Sequence, residues 1–146
     1  MFPTKVYELV VEEWAVPFDN EIEIESVSPE QITFNINFVG LKYFDDQVLV
    51  RFVVYRTGGY HVFFTFDRIA PTYEVLKLVN AFNAGNSYLK AAIVNKTGGS
   101  YLELHYGSLT RKNSSKAIAR EIGYLLSSIG DEHVLNTLVP LTKITV

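Results

Sequence analysis

The tripeptide Thr-Gly-Gly occurs twice, at Thr57-Gly58-Gly59 and at Thr97-Gly98-Gly99. The segment after each copy constrains the fold more than any other feature of the chain. A phosphate-binding loop leads from a strand into a helix, whose first amides hold the anion. Here "YHVFF" comes after the first copy and "YLELHY" after the second, and both are patterned as strands. Neither copy carries the Gly-Lys-Ser/Thr of a Walker loop. Glycine takes positive φ without steric cost, so each copy is expected to close a two-residue hairpin turn. Two hairpins in one short chain imply an antiparallel sheet.

The flanking segments fill in that sheet. "QITFNINF" alternates, with Ile32, Phe34, Ile36 and Phe38 inward and Gln31, Thr33, Asn35 and Asn37 outward. "EIEIESV" sets Ile22 and Ile24 against Glu21, Glu23 and Glu25. A row of like charges fits an edge strand that discourages further pairing. "VLVRFVVY" and "YHVFFTF" are apolar on both faces. Val48, Val50, Phe52 and Val54 line one side of the former, and Leu49, Val53 and Tyr55 the other, broken by Arg51. In the latter, Tyr60, Val62, Phe64 and Phe66 oppose His61, Phe63 and Thr65. Such strands lie mid-sheet with both faces covered, or with one face kept for a partner. "SYLKAAIV" and "SYLELHY" flank the second Thr-Gly-Gly.

Helical spacing marks three longer segments. Val6, Leu9, Val10 and Trp14 form a stripe between Pro3, which suits a first turn, and Pro17, which stops the helix. Val75, Leu78, Val79 and Phe82 form a second, with Thr72 as cap and Gly85 as a left-handed stop. Ile118, Ile122, Leu125, Leu126 and Ile129 form a third, capped by Asn113 or Ser114. A short helix is expected in "DEHVLNTLV" after Gly130. The expected fold is a single α+β domain over residues 1–146, in the order α-β-β-β-β-α-β-β-α. Its sheet is mostly antiparallel, with helices on one face.

Composition narrows the function classes. Aromatic residues make up 14%, with ten Phe and nine Tyr, which favours strands. The formal net charge of −3 offers no basic face for nucleic acid. The Arg111-Lys112 and Lys116 cluster reads as a solvated helix end. With no cysteine, disulfides, thiolate catalysis and Cys-ligated zinc are excluded. That fits a cytoplasmic protein. Acidic residues interrupt the N-terminal apolar positions, against a signal peptide. No apolar run approaches the ~18 residues of a membrane span.

No catalytic constellation stands out. His61 and His105 each come after a Thr-Gly-Gly on strands able to be neighbours, with Glu103 or Asp67 near in sequence. Metal centres need three or four convergent ligands, so these two and His133 are expected to be ordinary histidines. Asp45-Asp46 sits in a loop where adjacent side chains diverge, and Glu12-Glu13 on the wet side of the first helix. Tyr60, Tyr101 and Tyr106 with Phe63 are candidates for an aromatic surface, against core packing as the commoner fate.

The stretch "LKLVNAFNAGNSYLKAAIVNKTGGSYLELHY" resembles the YbjN-like family, whose fold is that of type III secretion chaperones. The residues carrying the likeness are Leu78, Val79, Asn80, Phe82, Asn83, Lys90, Ala91, Gly98, Leu102 and Leu104. The resemblance implies a small, cytosolic, non-enzymatic protein that is homodimeric and binds a polypeptide. It brings no catalytic residue, cofactor or metal. The residues expected to meet the partner are Val53, Tyr55, His61, Phe63 and Tyr101. The alternative is a small-molecule binder or enzyme with a pocket between sheet and helix, where His61, Tyr101 and His105 supply the polar groups.

Overall fold

The computed structural model describes residues 2–39, 48–85, 89–108 and 114–128. The expected short helix at 131–139, His133, the Asp45-Asp46 pair, Arg111-Lys112 and the candidate cap Asn113 lie outside them. Among the described residues three helices and six strands run in the order α1 (Phe2–Trp14), β1 (Glu21–Val27), β2 (Gln31–Phe38), β3 (Val48–Tyr55), β4 (Tyr60–Arg68), α2 (Tyr73–Gly85), β5 (Lys90–Lys96), β6 (Gly99–Ser108), α3 (Ser115–Ser128). A single 3₁₀ turn over Val16–Phe18 comes after α1, with Pro17 inside it. The strands form one sheet, ordered β1-β2-β3-β4-β6-β5, and every neighbouring pair is antiparallel. This is the α+β class and element order that the sequence pattern implies.

Local chemistry accounts for the joints. The second Thr-Gly-Gly closes as expected: Lys96 pairs with Gly99 around Thr97 and Gly98, and Gly98 has φ 98°. The first copy is one residue longer. Tyr55 N–H donates to Gly59 O, and Gly58 N–H donates to Tyr55 O. Gly58, at φ 97°, thus ends a three-residue loop of the bulged hairpin type rather than a two-residue turn. Thr72 Oγ1 accepts from Val75 N–H at 3.3 Å and Ser114 Oγ from Ala117 N–H at 3.2 Å, so both caps form. Gly85 ends α2 without a left-handed φ.

One face of the sheet carries the core. Ile32, Phe34, Ile36, Val50, Phe52, Val54, Val62, Phe64 and Leu104 are all buried there beneath the helices. α1 packs against α3 and lies over β2 and β3, while α2 packs against β5. Among the described residues the helix layer does not extend over β1. Ile22 and Ile24 therefore stay exposed, although their period-two pattern predicts a dry face, and Val27 past the register shift is exposed as well. Tyr60 also belongs to this core: it is fully buried, stacks on Tyr106, and its hydroxyl donates to Glu121 Oε1 of α3 at 2.6 Å. Burial first, then the Glu121 carboxylate, pushes its ionisation far above the ordinary tyrosine range. The aromatic-surface expectation fails for Tyr60 because its strand parity turns it under the helices.

Edge strand β5 is held by a side chain. Asn83, near the end of α2, donates from Nδ2 to Ala91 O at 2.9 Å and accepts from Ala91 N–H at Oδ1 at 2.7 Å. The amide thus imitates a neighbouring strand for one residue. Asn83→Ala is expected to cost about 1–2 kcal/mol, two modest net hydrogen bonds. Denaturant unfolding measures this, and faster hydrogen exchange of the Ala91 amide localises it. An unchanged exchange rate would show that the contact holds nothing.

Candidate functional site on the open sheet face

Side chains alternate across a strand, so the residues between the core positions of β3, β4 and β6 point away from the helices. Register then decides which of them meet. Val53 lies opposite His61, and Phe63 opposite His105. His61 lies opposite Gly107, and this glycine matters: a Cβ there would stand 2.7 Å from His61 Nδ1. The imidazole leans over the gap toward His105, and His61 Nδ1 reaches 3.0 Å from His105 Nε2.

The result is one contiguous ring cluster. Phe63 and His105 are nearly parallel, with centroids 4.5 Å apart and planes 7° apart. His61 and Phe63 centroids are 6.0 Å apart, and Tyr55 meets His61 edge-on at 5.7 Å. All four rings are half-buried, while Val53 beside them is 9% exposed. In the imidazole pair one nitrogen donates and the other accepts, so the accepting ring is neutral. Burial, then the proximity of His61, lowers the His105 pKa below the ordinary histidine value.

A polar border runs along one side of the cluster. Glu25 Oε1 accepts from Asn35 Nδ2 at 2.7 Å, and Glu25 Oε2 accepts from Arg51 Nη2 at 3.0 Å. These bonds tie β1, β2 and β3 together on the open face. Asn35 and Thr33 are buried on this face, although alternation predicts both in water. Glu25 reaches this position at an irregularity of β1, where the register shifts between Ile24 and Ser26.

No known protein family, curated protein or solved structure matches this chain. The reading of the site therefore rests on its own geometry. Of the five residues expected to meet a partner, the fold gathers Val53, Tyr55, His61 and Phe63 into the cluster. Tyr101 shares the face but not the cluster. Its hydroxyl lies by Gly98, where a Cβ would be 3.8 Å away, at the second hairpin turn. Sequence reasoning left His105 out of the partner-binding set and missed Gly107 and the Glu25–Arg51 border. The alternation of "YLELHYGS" places His105 and Gly107 on one face, but only the β4–β6 register shows that both adjoin His61.

A second feature lies on the helical side. A groove of about 650 Å³ runs between α1 and α3, with Glu12, Glu13 and Trp14 on one wall and Lys116, Arg120 and Gly123 on the other. Trp14 Nε1 is buried there and donates to no described residue. None of His61, Tyr101 and His105, named for the small-molecule alternative, lines this groove. Among the described residues no group of three or more His, Cys, Asp or Glu side chains forms a metal centre, and no helix is long and apolar enough to cross a membrane.

Proposed function

We propose that this protein is a non-enzymatic, chaperone-like binding module of the cytoplasm, working as a homodimer, that holds a polypeptide partner on the open face of its sheet. One observation carries this reading: the face opposite the helices presents a contiguous patch of Val53, Tyr55, His61, Phe63 and His105. Aromatic rings there supply contact area at a low cost in side-chain ordering. The Glu25–Arg51 pair and Asn35 supply polar contacts of both signs at its margin. An apolar centre with a mixed polar rim suits a peptide chain better than a nucleic acid, which needs a basic field. The sequence resemblance to the YbjN-like family implies the same kind of binding, although a fold does not itself confer an activity.

The test is recovery of the tagged protein from its native cells at moderate salt, with bound polypeptides identified by mass spectrometry. One polypeptide in near-equal amount is the expected result. Recovery of the chain alone, with no partner at any salt concentration, overturns the reading.

A further inference from the structure

We propose that His61 and His105 form a bidentate site for a divalent ion of the copper(II) or nickel(II) class on the open sheet face. One distance points to it. His61 Nδ1 and His105 Nε2 are 3.0 Å apart. Two imidazole nitrogens bound at about 2.05 Å and at right angles to one another are about 2.9 Å apart, whereas tetrahedral coordination needs about 3.3 Å. The hydrogen-bonded pair lies within a few tenths of an ångström of either spacing, so a small turn of the rings brings both nitrogens onto one ion. Imidazole ligands suit copper and nickel, and copper(II) stands highest in the affinity order.

The surrounding chemistry permits insertion. The hydrogen between the rings moves to the other nitrogen of the ring that carries it, which frees both lone pairs without changing the charge of either imidazole. With right-angle bonds the ion sits about 1.4 Å off the line between the nitrogens. The rings turn outward, away from the sheet, to follow it. Gly107 lets His61 Nδ1 lie where a Cβ would stand, next to His105, and Phe63 and Tyr55 brace the rings laterally. Among the described residues no third His, Cys, Asp or Glu joins the pair. A site of this kind binds reversibly rather than holding a structural ion.

Calorimetric titration of copper(II) chloride and of nickel(II) chloride into the full chain tests this, together with EPR of the copper form. The expected result is one ion per chain, with a copper spectrum showing two imidazole nitrogens. His61→Gln and His105→Gln should each weaken binding at least tenfold, and His133→Gln should leave it unchanged. Gly107→Ala should weaken it while keeping both histidines, because the new Cβ displaces the ligating nitrogen of His61. Circular dichroism and Tm are recorded for every variant, and the two glutamine variants decide the matter alone if Gly107→Ala does not fold. Binding that survives His61→Gln or His105→Gln, binding that disappears in His133→Gln, or a wild-type affinity no tighter than that of the double glutamine variant overturns the proposal.

Discussion

Phe34→Ala is expected to remove about 3–5 kcal/mol of stability, the usual cost of deleting a fully buried aromatic ring. Domains of this size hold only about 5–15 kcal/mol in all, so the variant should stand close to unfolding at 37 °C. The size of the effect comes from the neighbours. Phe34 has no exposed surface and occupies the middle of β2. Its ring lies against Phe52 of β3, with centroids 4.8 Å apart and planes at 13°. Tyr7 of α1 meets it edge-on at 4.9 Å and 79°. The ring therefore joins the sheet to the first helix as well as strand to strand. Its removal leaves a void that a rigid sheet cannot close, which adds a cavity cost to the lost transfer energy. Urea unfolding of the wild type, Phe34→Ala and Ile24→Ala measures the contrast. Ile24 lies opposite Phe34 on β1 but is 47% exposed, and its truncation should stay within about 0.5 kcal/mol. Equal losses in the two variants would show that the helix layer covers β1 as well.

That contrast also shows where sequence pattern ran out. Period-two alternation set the core side of β2, because that strand lies under helices and its apolar residues share one face; β3 and β4 are apolar on both faces, so the pattern grouped their residues by face without saying which face the helices cover. Alternation in β1 is equally clean, yet Ile22 and Ile24 remain wet. The pattern reports strand geometry, while burial depends on how far the helix layer reaches. The Thr-Gly-Gly copies teach a related lesson. Glycine composition identified both hairpins, but the loop lengths differ by one residue because Tyr55 pairs with Gly59 in the first. The site was legible strand by strand and not across strands. Val53, Tyr55, His61 and Phe63 are local in sequence and were found together. His105 and Gly107 come from β6, which lies beside β4 only because β6 and not β5 takes the inner place in the sheet. That choice is tertiary, and Asn83, which caps the outer edge of β5, is one of its visible causes.

Phe63→Asp is expected to cut recovery of the polypeptide partner at least tenfold while leaving the fold intact. Phe63 is half-buried, and its neighbours in sequence, Val62 and Phe64, belong to the opposite face and keep their packing. The new carboxylate stands beside His105, which gives it a hydrogen-bonding neighbour and limits the cost to the free protein. An apolar docking surface, by contrast, meets an unpaired charge at its centre, and desolvating that charge on binding is expensive. Val53→Asp tests the same patch from β3. It is the more buried position, so a larger fall in Tm accompanies the loss of binding. Val62→Asp, on the helical face of the same strand, supplies the opposite extreme and should unfold the chain. Three outcomes are distinct. Folded Phe63→Asp without partner places recognition on the open face. Folded Phe63→Asp with partner moves recognition elsewhere, to the α1–α3 groove first. Unfolding of both Phe63→Asp and Val53→Asp, to the same degree as Val62→Asp, makes the second face a core as well, because only a face already covered in the free protein can be as intolerant of charge as the first.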